Sequence, residues 1–137
     1  MRKYCLSLLL LLSIQVSNAV EPPKREIRGV WLTTVYGLDW PHKPATTEAG
    51  RKAQQRDVCD ILDRLQDANF NTVFLQVRLR GDVIWRSAIE PASKTFSGKY
   101  GTMPGYDPLA FVIDECHKRG MECHAWFVTF PLGTDKN

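Results

Sequence analysis

Little in this sequence is extreme, and its shortages exclude more than its abundances assert. Charge is nearly balanced, with 18 Lys and Arg against 15 Asp and Glu in 137 residues, a formal +3. Such a surface offers no electrostatic footprint for nucleic acid or anionic lipid. Cysteine is scarce, four in all, with no CxxC pair and no zinc-ligand spacing. No metal, redox centre or other cofactor is therefore expected. Glycine-rich phosphate cradles are also missing: Arg80-Gly81-Asp82 carries one glycine, and the Gly98 to Gly101 stretch opens no immediate helix. No apolar run reaches the roughly 20 residues that cross a bilayer.

What is present begins with a leader. Arg2 and Lys3 precede an apolar run from Leu6 to Ile14, and small residues follow at Ser17-Asn18-Ala19. A positive start, a short apolar middle and small residues before a cut describe a secretory signal peptide over residues 1–19, cleaved after Ala19. Its removal lowers the formal charge from +3 to +1 by taking Arg2 and Lys3. Residues 20–137 then form at most one domain, exported to the periplasm or beyond the cell, with no stable membrane insertion. Losing Cys5 leaves Cys59, Cys116 and Cys123, which permit at most one internal disulfide, Cys116 with Cys123; three buried free thiols are the simpler expectation.

Hydrophobic residues at 44% and charged residues at 24% are ordinary globular values, so a folded core is expected. Residues 27–35 are rich in β-branched and aromatic side chains and predict a first strand. Between about residues 53 and 68, Val58, Ile61, Leu62, Leu65 and Ala68 recur with helical period. Residues 72–77 are almost continuously apolar, as in a strand covered on both faces of a parallel sheet. Asp107 as N-cap, Pro108 at the first position, the stripe Leu109, Val112, Ile113, Cys116 and the stop at Gly120 predict a second helix. Residues 121–128 alternate, Cys123, Ala125 and Phe127 against His124, Trp126 and Val128, and make a third strand. Strands alternating with helices imply parallel pairing through right-handed crossovers.

The loops are unequal. Helix-to-strand joins are minimal, whereas strand-to-helix joins run from about Tyr36 to Lys52 and from about Leu79 to Tyr106. Excess length at the carboxyl ends of parallel strands marks the ligand side. Tyr36, Trp40, Trp85, Phe96, Tyr100 and Tyr106 fall in or beside these loops, where flat aromatic faces suit the C–H faces of sugar rings. Asp39, Arg78, Arg80, Asp82 and Glu90 supply donors and acceptors for hydroxyls. Each aromatic taken singly is more readily a loop anchor, because loops this long need small cores of their own.

The blocks from Arg28 to Val35, Leu38-Asp39-Trp40-Pro41, Phe74 to Arg78 with Gly81-Asp82, Ser87 and Glu90-Pro91, Gly105 to Leu109, His117 to Gly120 and His124 to Phe127 occur in one order. Together they resemble the amino-terminal portion of the glycosyl-hydrolase-like family 10 domain. The resemblance implies a (β/α)₈ TIM-type barrel, of which the first three βα units are present, in an exported bacterial protein with glycosidase activity on an oligo- or polysaccharide. Two departures qualify it. Val128-Thr129-Phe130-Pro131 replaces an Asn-Pro-Tyr-Arg-like segment, and the chain stops at Asn137 with three strands, whereas such a barrel takes eight strands and about 250 residues.

Glycosidic hydrolysis needs two carboxyl groups about 5–5.5 Å or about 6.5–9.5 Å apart. Asp39 and Asp82 follow adjacent strands and are the weak candidates here; by resemblance the family's acidic blocks lie downstream. Arg78, Trp126, Asp39, Trp40, Arg80 and Trp85 are then expected to bind substrate. Arg78 can fork onto a sugar, hold a catalytic acid ionised, or close a salt bridge at the barrel mouth. Gln76 and His124 are more simply satisfied interior polar groups. The function expected is an exported glycoside hydrolase represented by a fragment; the alternative is a carbohydrate-binding remnant or an inactive truncated product. Asp39, Arg78 and Trp126 are expected to gather on one rim around a shared cavity.

Overall fold

A computed structural model describes residues 26–130; the expected leader lies outside the described residues. The chain runs β1 (Gly29–Leu32), a 3₁₀ turn (Val35–Gly37), α1 (Glu48–Asp67), β2 (Thr72–Arg78), α2 (Lys94–Ser97), α3 (Pro108–Lys118) and β3 (Glu122–Phe127). The strands form one parallel sheet in the order β1-β2-β3. In register, Trp31 lies beside Phe74 and Phe74 beside His124, while Leu32, Leu75 and Ala125 make the next row.

Capping fixes the helix starts. Thr47 Oγ1 accepts from Gly50 N at 3.1 Å, so α1 begins at Glu48 rather than near Ala53. Asp107 Oδ1 accepts from Ala110 N at 3.1 Å ahead of Pro108, as the sequence predicts for α3. Gly120, at φ 68°, ends that helix in a conformation that β-carbon-bearing residues avoid. The short α2 is unforeseen; Ser93 caps it and Gly98 closes it at φ 79°.

β1 is shorter than expected because side chains take its last amides. Thr33 N donates to Asp39 Oδ2 at 2.8 Å, and Thr34 N and Val35 N donate to Gln76 Oε1 at 2.9 and 2.8 Å. The chain therefore leaves the ladder after Leu32 with its donors satisfied.

One face of the sheet packs against the helices. Val73, Leu75 and Val77 are fully buried in one cluster with Val58 and Leu62 of α1 and Val112 and Cys116 of α3. Each such side chain contributes about 1.5–3 kcal/mol through burial. The other face is open. Trp31 stacks on Phe74 at 4.8 Å, Trp126 meets Trp31 edge-on at 5.0 Å, and Trp31 remains 60% exposed. Among the described residues no strand pairs with the outer edge of β3.

Outside the sheet, an ionic clamp joins the helices. Arg119 of the α3 end contacts Asp63 of α1 at 2.6 Å and Glu115 at 2.7 Å, and Lys118 reaches Glu115 at 2.5 Å. The bonds from Lys118 and Arg119 hold the Glu115 carboxyl down at about 2. Cys59, Cys116 and Cys123 are free thiols, and the Cys116 thiol is pushed up by a hydrogen bond with the Cys123 sulfur and by burial.

Candidate functional site

Both long connections leave carboxyl ends of parallel strands and rise at the same end of the sheet, where α/β folds receive ligands. Gln76, buried near the end of β2, shapes the first. Besides the two amides above, its Oε1 accepts from Thr33 Oγ1 at 2.7 Å, and its carbonyl accepts from Thr34 Oγ1 at 2.9 Å. Past this anchor, Tyr36 sits at φ 56° beside Gly37 at φ 67°. A left-handed residue with a side chain costs about 1–3 kcal/mol, and such outliers concentrate at functional sites. The residue is 73% exposed.

One residue of α1 ties the two connections together. Gln54 Nε2 donates to Lys43 O at 2.7 Å and to Phe96 O at 2.9 Å, its Oε1 accepts from Tyr106 Oη at 2.9 Å, and its carbonyl accepts from Trp40 Nε1 at 2.8 Å. Burial pushes the Tyr106 hydroxyl up, so it stays protonated and donating. Sequence reasoning passed over Gln54. The signal was present: it lies four residues before Val58, on the buried stripe of the helix, where a polar side chain needs a partner.

The expected site residues separate into distinct places. Trp40 is a correction: it is wholly buried and packs edge-on to Phe96 at 4.9 Å, so it has no face to offer a sugar. It anchors the core of the first loop. Arg78 adopts the salt-bridge role among those open to it. Its Nε donates to Glu90 Oε1 at 2.8 Å and its Nη1 to Val128 O at 2.7 Å, joining the second loop to the exit of β3. Trp126 lies on the open sheet face beside Trp31, paired in register with Gln76. His124 shares that face and is exposed, with Nε2 2.8 Å from Glu122 Oε2.

The clefts part the remaining candidates. Arg80 and Asp82 line a pocket of about 200 Å³ with Tyr36, His42, Lys94 and Leu79. Trp85 lines a larger cleft of about 410 Å³ with Arg86, Ser87, Glu90 and Met103. Asp39 lies instead in a groove of about 290 Å³ at the outer edge of β1, with Trp31, Ile61 and Arg64. Asp39 and Asp82 thus line different clefts, and the Asp39 carboxylate is already engaged by Thr33 N. Asp39, Arg78 and Trp126, expected around one cavity, each engage a different neighbour at the strand ends: Thr33, Glu90 and Trp31. Among the described residues no group of three or more His, Cys, Asp or Glu is placed to hold a metal ion. No described helix is long and apolar enough to cross a membrane.

A parallel βα sheet with long, aromatic-bearing loops at its carboxyl end defines an α/β domain elaborated on the side where such folds receive ligands. The chain belongs to the glycosyl hydrolase-like 10 family, whose profile matches residues 26–136. It is 48% identical over 113 residues to glycosyl hydrolase DigH of Escherichia coli strain K12, a match covering 80% of this chain and 26% of that protein. To glycosyl hydrolase YngK of Bacillus subtilis strain 168 it is 42% identical over 108 residues, covering 79% of this chain and 21% of that protein. The chain therefore spans about a quarter or less of the length of these relatives.

Proposed function

We propose that this chain is the amino-terminal part of an exported glycoside hydrolase that degrades a polysaccharide or cell-wall glycan. Its three strands are read as the first of a (β/α)₈ barrel, with the open face carrying Trp31, Phe74 and Trp126 turned toward the barrel interior. The observation that carries this reading is the family match over residues 26–136, laid on a sheet whose two long connections both leave carboxyl strand ends.

The catalytic acids are assigned to the rest of the protein. Two carboxyl groups must converge on one glycosidic bond. Here Glu90 is held by Arg78 and Asp39 by Thr33, while Asp82 stands in a separate pocket. The described loops then bind and shape: Arg80 and Trp85 line clefts, and Arg78 fixes the rim between β2 and β3.

The test is hydrolysis by the whole gene product, read as release of reducing ends from plant, host and bacterial-wall glycans. Release is expected from at least one class, and none from residues 20–137 alone, which should bind hydrophobic dye through the open sheet face. Glycan binding by the whole protein without any release would favour a carbohydrate-binding role. Cooperative unfolding and turnover by residues 20–137 alone would overturn the assignment of the acids.

A further inference from the structure

Basic side chains collect in the pocket beside Tyr36 in excess of what the proposed sugar chemistry requires. Arg80, Lys94 and His42 line it, against one acid, Asp82. Neither Arg80 nor Lys94 has a carboxylate within 4.0 Å among the described residues, although six other pairs of Lys or Arg with a carboxylate form among them. Asp82 forms no ion pair with either; its Oδ1 accepts from the backbone amide of Arg80 at 3.2 Å, within its own turn. Arg80 is nevertheless held in place. Its Nη1 donates to Tyr36 Oη at 2.8 Å, and its guanidinium carbon stands 4.8 Å from the Tyr36 ring centroid. That contact uses one of five guanidinium donors and leaves the others free for a ligand.

Resting on the glycosidase reading, we propose that this pocket is a subsite for an acidic sugar, with Arg80 and Lys94 receiving its carboxylate and the exposed face of Tyr36 lying against its ring. A planar guanidinium suits a carboxylate bidentately, and an ammonium adds a mobile point charge. Leu79 and Pro41, both buried, floor the pocket, so the charge sits over an apolar base rather than on a fully wet surface. The left-handed backbone at Tyr36 and Gly37 turns the ring toward Arg80 rather than into the loop core. A neutral sugar would leave the two cations unpaired; an acidic one satisfies them.

The test uses the full-length protein and oligomers of galacturonate, glucuronate and mannuronate, each alongside its carboxyl-reduced, neutral counterpart. Calorimetric titration at low salt is expected to show at least one acidic oligomer bound tenfold or more tightly than its reduced form. Combining Arg80→Gln with Lys94→Gln should abolish that preference, and Lys94→Arg should keep it. Equal affinity for acidic and reduced oligomers, or a preference surviving the double substitution, overturns the acidic subsite and leaves the glycosidase reading standing. If no acidic or neutral oligosaccharide binds, and the whole protein releases no reducing ends, both fall.

Discussion

Replacing Gln76 with Met keeps side-chain length and volume while removing the amide. The structure sets the size of the loss. Gln76 Oε1 accepts from Thr34 N, Val35 N and Thr33 Oγ1, and Thr34 is wholly buried. A buried donor left without its partner costs about 1–3 kcal/mol, so two main-chain amides together cost about 2–6 kcal/mol. The Thr33 hydroxyl can rotate to water, and Met recovers about 1 kcal/mol by apolar burial. A net destabilisation of about 2–4 kcal/mol is expected, read from the urea midpoint of the full-length protein by tryptophan fluorescence at unchanged slope. Gln76→Glu keeps an acceptor for all three donors, and carboxylates that accept several N–H bonds are stabilised in the charged form. It should lie within about 1 kcal/mol of the native protein near neutral pH. A loss below about 0.5 kcal/mol for Gln76→Met, or equal damage from Gln76→Glu, would refute the claim that this one oxygen holds the start of the first loop.

Trp40→Ala should cost about 3–5 kcal/mol, whereas Trp40→Phe should lose only the bond to Gln54, about 1 kcal/mol, and leave glycan affinity unchanged. A fall in affinity for Trp40→Phe without loss of stability would restore a ligand role. Arg78→Ala should free the loop between Ile84 and Glu90, seen as faster proteolysis near the exposed Ile89; Arg78→Lys should not rescue it, because one ammonium cannot reach both Glu90 and Val128 O. Stability from Glu115 is fully present above its ordinary 4.5 and is lost as pH falls from there through about 2, because the folded protein holds the proton less readily than the unfolded chain. Arg119→Ala combined with Lys118→Ala should remove most of that acid-side loss, and an unchanged acid midpoint would contradict the clamp.

The sequence was legible where one physical cause acted over several residues. The apolar stripe from Val58 to Leu65, the run from Val73 to Val77 and the Asp107-Pro108 start gave the elements and their parallel order, because period and capping are local. Boundaries escaped where a distant side chain replaced the ladder: nothing near Thr34 announces that Gln76, on another strand, takes its amide. The start of α1 was hidden by Gly50, a poor helix former whose amide is nevertheless what Thr47 caps. In the site, the tendency of a loop aromatic to pack its own loop accounts for Trp40 and Phe96. It could not separate them from Tyr36, whose exposure depends on a left-handed turn that its residue type disfavours. Assigning Asp39 and Asp82 to one rim was sound topology, but rim residues can face different gaps between strands, and here they do.

Gln54 gives the rim a common mechanical ground. Lys43, Phe96, Tyr106 and Trp40 all hang from one amide group and one carbonyl of a rigid helix, so neither loop can shift far without straining a bond that also restrains the other. Any displacement of the first loop at Lys43 or Trp40 is therefore communicated toward the segment that carries Phe96. Changes in the two segments during divergence should arise in compensating pairs rather than singly.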